Sequence, residues 1–593
     1  MGLIWLGRGG LVWLKGRSDA FGHVLSDTVR GATKTVYTHS TYQQETVANS
    51  LTSFNNTGFS LGFSPVIDIN NNTKTFASWT FRKANKFFDV QTVTVSGGVT
   101  ATVDLSSLTT VGMVAVKRTD STSAWFVYHR SCTATKLVYL NTTAAETSDA
   151  SISLSGTTLS LLGGTIPNGT YIVYAWAHDT TANTGMIQCG TYTDTADFTV
   201  TLGWEPQYVL VKVTNTTGSW TVQDSMRGLV TDGTSYKLKP DTTDSESGTT
   251  QIKPTATGFR GLAGLGNTYV YMAIRRPNKP PTSGTQVYNA IARAGTQTVA
   301  TVTGVGFAPD MVITTGRTNV VGNPIFTDRL RGANIQTRSD SMIAESTYTD
   351  VITGYGMDGV MLGNDLTTGF VNYSPSQTYI NWFFKRAPEV FDEVCYSGTA
   401  SASLVLNHSL GVSPELIIIK CRSTGGDASR NWYVSTTGDL TKHLFLNTTA
   451  AYGTTEHQVE AISSTTFQLR GNENLTSASG DTYVAYLFAT KAGISKVGSY
   501  TGNGSTQTID CGFSAGARFI LVKRTDSTGA WFVFDNTRGI VAAEDPHLSL
   551  NTAAAEVTTD DSVDPDVSGF KVNELAATHI NVTSATYIFL AMA

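Results

Sequence analysis

Few side chains in this 593-residue chain have types and spacings that could do chemistry, and most of those recur. An Asp-x-x-Arg-Gly signature appears four times, as Asp27/Arg30/Gly31, Asp224/Arg227/Gly228, Asp328/Arg331/Gly332 and Asp535/Arg538/Gly539. A carboxylate and a guanidinium three residues apart can bridge across a turn, and the glycine supplies a positive φ there. A catalytic pair need occur only once, so fourfold repetition points to architecture. Gly58-Phe59-Ser60-Leu61-Gly62 spells the nucleophile-elbow string, which works only at a strand-to-helix turn of a parallel sheet; no helical pattern follows Gly62. Asp68-Ile69-Asn70-Asn71-Asn72 opens like a calcium loop, but Trp79 stands where the bidentate Glu belongs. Asp560, Asp561, Asp564 and Asp566 offer hard oxygen ligands that could hold calcium, although the run reads first as a solvated loop. The nine histidines show no H-E-x-x-H spacing. Cys132, Cys189, Cys395, Cys421 and Cys511 contain no C-x-x-C pair and read as reduced, buried thiols. The glycine run 261–266 leads into a strand, so it is no dinucleotide fingerprint. A carboxylate pair for glycoside hydrolysis has no linear signature, because its partners meet only in the fold. The expectation is a protein without catalytic residues, metal or cofactor.

Aromatic residues are the other candidates. Trp125, Trp220, Trp432 and Trp531 each follow an apolar strand that ends in lysine. Indole faces suit sugar rings, but strand alternation puts Trp220 on the side of Val222, opposite Thr221 and Gln223, which is the pattern of a core position. The other face carries Phe126, Tyr128, Tyr433, Phe532 and Phe534, which become the candidates for contact with a neighbouring copy, chain or glycan.

These elements belong to a repeat. The anchors Lys15, Lys117, Lys212, Thr315, Lys420 and Lys523 are spaced by about 100 residues. Each is followed by an aromatic-led closing strand, from FASWTF to YIFLAMA, and three copies carry LNTTAAE, LNTTAAY or LNTAAAE between the two markers. Only 15% of residues are charged, while Gly, Ser, Thr and aromatics abound, which disfavours helix and suits short strands. The expected fold is all-β: a tandem array of six antiparallel, jelly-roll-like sandwiches, at 1–88, 89–180, 181–281, 282–390, 391–492 and 493–593. In copy six a hairpin around Gly502-Asn503-Gly504 should join GSYT to STQTIDC. Pro277-Asn278-Lys279-Pro280-Pro281 reads as a stiff linker, and elsewhere the copies abut, which suggests a rod of touching beads.

Copy one has only 14 residues before its anchor and so lacks the leading hairpin; the exposed end is a candidate anchoring surface. The start MGLIWLGRGG is interrupted by Arg8 and glycines, so neither a signal peptide nor a membrane span is expected. The net charge of −5 is spread without a basic stripe, which disfavours nucleic-acid binding.

The strings GLVWLKGRSDAFGHVLSDTVRGATK, FASWTFRKANKFFDV, SYTGNGSTQTIDCGF and FILVKRTDSTGAWFVFDNTRG resemble a repeated β-domain of tailed-bacteriophage virion proteins, of the marine and cyanobacterial phage type. The resemblance covers nearly the whole chain, is weaker in copies three and four, and brings no catalytic residues with it. It implies a virion location in the tail or tail-fibre region and recognition of host-surface glycan. Contact with other virion proteins through the first copy and a homo-oligomer, most simply a trimer, complete the expectation. The alternatives are a purely architectural head-fibre, decoration or baseplate protein, and a polysaccharide depolymerase.

Overall fold

The computed structural model describes residues 9–593 except 66, 262–263, 319–321, 424–429 and 456–457. Among them there are antiparallel strands, two short 3-10 turns and no α-helix. The chain divides into two compact units, Met1–Arg276 and Pro277–Ala593, so the boundary falls at the proline-rich linker.

Copy six shows the module. Its strands are β1 (Ser495–Thr501), β2 (Gln507–Asp510), β3 (Phe519–Arg524), β4 (Trp531–Asp535), β5 (Leu548–Ser549), β6 (Val563–Asp566), β7 (Gly569–Val572) and β8 (Thr586–Met592). A large sheet runs β1-β8-β3-β4-β5 and a small sheet runs β2-β7-β6. The turn at Gly502–Gly504 is therefore no hairpin: β1 pairs with β8 and β2 pairs with β7, in different sheets. The buried Asn581 explains the detour. Its Oδ1 accepts from the Asn503 N–H at 3.0 Å and its Nδ2 donates to the Ser505 carbonyl at 2.5 Å, so the turn is pinned as a crossover. Asn372 holds the same crossover in copy four, accepting from Thr296 N–H and donating to the Thr298 carbonyl.

Copies two to five repeat this plan, with large sheets led by Phe88–Val95, Ile187–Thr193, Tyr288–Ala294 and Phe391–Ser397. Among the described residues copy one differs: its closing strand Phe76–Arg82 stands at the end of the large sheet, and its small sheet consists of Leu51–Asn55 and Gly58–Leu61. Phe59 and Leu61 are half-buried there, whereas the matching Leu159 and Leu161 of copy two are fully buried.

The large sheets are apolar on both faces. Leu416–Cys421 is buried at every position, as a strand covered on both sides must be. In copy six, Ile520, Val522, Phe532 and Phe534 face the copy's own small sheet. Phe519, Leu521, Trp531 and Val533 face a second core shared with copies four and five. The first unit repeats this, with Trp13 and Phe81, Trp125 and Tyr174, and Leu210 and Trp220 meeting from its three copies. Within a unit the copies thus close a ring around a common core, which corrects the expectation of a rod. A sandwich with a second apolar face cannot leave it wet, and three such faces can cover one another.

One backbone bond recurs at every junction. Gln44 N–H donates to Thr119 O, Glu146 to Thr214 O, and Glu246 back to Arg17 O, which closes the first ring at 2.8–3.0 Å. Glu345 donates to Arg422 O, Tyr452 to Thr525 O, and Glu556 back to Arg317 O, which closes the second over the same distances.

Trp531 is 1% exposed and packs in the shared core. Trp531→Ala should lower unfolding free energy by about 3–5 kcal/mol. Trp531→Phe should lose about 1–2 kcal/mol, through a lost hydrogen bond and a small void. Chemical denaturation checks both, and equal losses would place the indole outside the core.

Candidate functional site

The residues that could do chemistry gather at the junctions between copies. In five copies the anchor lysine is fully buried, and among the described residues its ammonium meets no carboxylate within ion-pair distance; backbone carbonyls receive it instead. Lys523 Nζ donates to Gly529 O at 2.7 Å in its own copy and to Thr449 O at 3.1 Å in the preceding one. Lys117 spans Ser123 O and Thr41 O, Lys212 spans Gly218 O and Thr143 O, and Lys420 spans Arg430 O and Met342 O. Lys15 reaches Gly16 O in its own copy and Thr243 O in copy three. Burial pulls each ammonium down to about 8. A neutral amine still has two N–H groups, enough for both carbonyls.

The tryptophans fasten the same straps. Trp125, Trp220, Trp432 and Trp531 donate from Nε1 to the carbonyls of Tyr37, Tyr139, Arg338 and Phe445 at 2.8–2.9 Å, each in the preceding copy. They are at most 1% exposed and offer no sugar platform. Phe126, Tyr433, Phe532 and Phe534 do not face outward either. They are 8%, 0%, 9% and 0% exposed and lie under their own small sheets, while Tyr128 is half-buried. The expectation of contact on that face assumed a sheet with one free side, and this sheet has none.

Each Asp-x-x-Arg pair is an ion pair at the mouth of its turn. Arg Nε meets Asp Oδ2 at 2.5 Å in 30/27, 331/328 and 538/535, and at 2.6 Å in 227/224. The Asp Oδ1 also accepts the Arg backbone N–H, and the following glycines sit at φ between +93° and +129°. Sequence spacing alone could not show what lies opposite. Tyr174 and Tyr486 donate their hydroxyls to Asp27 and Asp328 at 2.8 and 2.9 Å. Trp79 and Trp382 donate their indole N–H to Asp224 and Asp535 at 2.9 and 2.8 Å. Strap glutamates complete the pattern, with Glu246 pairing Arg17 and Arg227, and Glu556 pairing Arg317 and Arg538. Copy two has His129 at the aspartate position; its Nδ1 accepts the Ser131 N–H, so Nε2 carries the proton given to Tyr271 O at 3.0 Å.

The remaining strings are placed in turns and strands. Ser60 of the elbow-like string lies in the hairpin strand Gly58–Leu61 and accepts from Asn55 Nδ2. Asp68 is buried and accepts from Asn71. Of the acidic loop, Val563–Asp566 forms a strand, and the residue that matters beside it is Asp545, which receives the Val563 and Val541 N–H groups and is pushed up to about 6 by burial. The five cysteines are free thiols, three buried and two half-buried. Residues 262–263 of the glycine run lie outside the described residues. Among the described residues no three His, Cys, Asp or Glu side chains are grouped to hold a metal.

A family model described as a domain of unknown function, DUF7483, matches residues 8–277 and again 283–593, nearly the two compact units. No curated protein matches the chain.

Burial pushes the His129 imidazole down to about 4. Because the folded value lies below the unfolded one near 6.5, the unfolded chain binds the extra proton between pH 6.5 and 4, and stability falls as pH drops through that window. The loss attributable to His129 should reach about 3 kcal/mol at pH 4. His129→Gln should flatten the acid limb of a stability–pH profile by that amount; an unchanged limb would refute the assignment.

Proposed function

The chain belongs to the DUF7483 family, in two copies, and we propose that it is a structural protein of a bacteriophage virion, serving as a tail fibre or receptor-binding component that meets polysaccharide on the host envelope. The phage assignment rests on the sequence resemblance. The observation that carries the binding role is what the modules leave exposed. The small sheets turn hydroxyl side chains outward: Thr102 and Ser153 in copy two, Thr199 in copy three, Thr301 in copy four, Ser403 in copy five and Thr508 in copy six. A shallow hydroxyl face repeated on several modules suits a hydrated glycan bound weakly at many points, where linkage between sites raises avidity. The Asp-x-x-Arg pairs and the strap glutamates Glu246 and Glu556, by contrast, are occupied in joining copies.

A purely architectural role as a head fibre, decoration or baseplate protein is the second reading, favoured by the same use of charge. In either case the strand Phe76–Arg82, which ends its sheet among the described residues, is the surface we assign to contact with other particle proteins. Each unit already builds a threefold arrangement from one chain, so no junction found among the described residues requires a homotrimer.

The intact chain should bind host-envelope polysaccharide on a glycan array, with half-saturation weakening steeply when polysaccharide is cut to short oligomers, and should release no reducing ends. Absence of binding to any envelope glycan would remove the receptor role and leave the architectural one. Release of reducing ends would replace both with a depolymerase.

A further inference from the structure

Two positions face each other at every junction: the residue four after the staple tryptophan position, and the residue on the closing strand of the next copy around the ring. In the first unit the residues at these positions are Asp27 and Tyr174, His129 and Met272, and Asp224 and Trp79, His129 reaching the carbonyl of Tyr271 beside Met272. In the second they are Asp328 and Tyr486, Thr436 and Leu590, and Asp535 and Trp382. An aspartate always meets a donor-bearing ring, and its absence always coincides with an apolar Met or Leu. We infer that these six pairs are a pairing code that sets which copy may sit next to which, the partner of each junction surface being one particular copy of the same chain.

The physical basis is desolvation. Asp328 and Arg331 are buried, and Arg331 also donates to the Tyr486 hydroxyl at 3.0 Å, so phenol, carboxylate and guanidinium satisfy one another. Opposite Leu590 the carboxylate would keep an unmet acceptor away from water, at a penalty a mispaired junction cannot avoid. Conversely, Leu590→Tyr would bring a hydroxyl into an apolar recess lined by Leu416, Val497, Leu521 and Trp531, where the Thr436 hydroxyl already shares a hydrogen bond with Tyr452. The Asp–Trp junctions differ from Asp–Tyr because the guanidinium lies over the indole, 5.2 Å from ring centre for Arg227 on Trp79 and 5.4 Å for Arg538 on Trp382. Three junction chemistries therefore mark three places in the ring. The same three occur in the same order in both units, so the code specifies position within a ring and not which ring. A chain of six similar modules needs such marking, because wrong pairing of like domains is a characteristic misfolding route.

The test moves a junction chemistry within the full chain. Leu590→Tyr alone should lower the thermal midpoint of the Pro277–Ala593 unit, by about 2–4 °C. Adding Thr436→Asp and Asp439→Arg, which places the ion pair where copies four and six have theirs, should restore at least half of that loss. If the introduced phenol served only as bulk, the two added charges would deepen the loss instead, and that result overturns the code. A gentler pair guards against variants that fail to fold. Asp328→Asn and Tyr486→Phe should couple in a double-mutant cycle, the combined change in unfolding constant being smaller than the product of the single changes by about fivefold or more. A product equal to the singles would show that the two side chains act independently and would likewise refute the inference.

Discussion

A sheet that is apolar on both faces governs this molecule. One face is covered within the copy by its small sheet; the other has to find cover outside it. Three copies meeting around a common core satisfy that requirement for one another, and the straps that bind them bring polar backbone into a dry place. The carbonyls of Thr41, Thr143, Met342 and Thr449 are met there by a buried lysine ammonium. The lysines are thus not unpaired charges stranded in a core but donors matched to acceptors that no strand could reach.

The places where the clasp is altered are informative. Copy four has Thr315 in place of lysine and Pro324 at the tryptophan position, and its strap is held instead by Ser339 Oγ donating to Leu550 O at 2.6 Å. Copy one keeps Lys15 but has His23 at the tryptophan position, which accepts Trp13 Nε1–H at 2.8 Å, and Thr38 Oγ1 donates to Pro240 O at the equivalent point. Both are the copies at which a ring closes. The Asp–Trp bonds stand at those two closures, and strap glutamates pair with arginine both there and at the junction of copies four and five, where Glu345 meets Arg422 and Arg331.

With so few charged residues in the chain, the Asp-x-x-Arg pairs and the strap glutamates are committed to junctions, while exposed positions of the small sheets carry hydroxyls together with Asp104, Glu460 and Asp510.

Much of the fold was legible in the residues. The recurrence of Lys117 and Lys523 with their tryptophans and the aromatic-led closing strands are local or periodic signals, and each reports a strand. The inward place of Trp220 followed from alternation with Val222. Alternation names two faces, however, without saying what covers each. So Phe532 and Tyr433 looked outward when they lie beneath the small sheet, and a turn rich in glycine looked like a hairpin when Asn581, some 80 residues away, bends it into a crossover. The partners of Asp27 and Asp328 stand on other copies, more than 140 residues along the chain, and no spacing rule spans that distance. Strand content and the repetition of sandwich-like units were readable because they depend on near neighbours. Ring closure, the burial of five lysines and the matching of Asp to Tyr or Trp emerged only in three dimensions, since each depends on apolar surface that one copy cannot hide by itself.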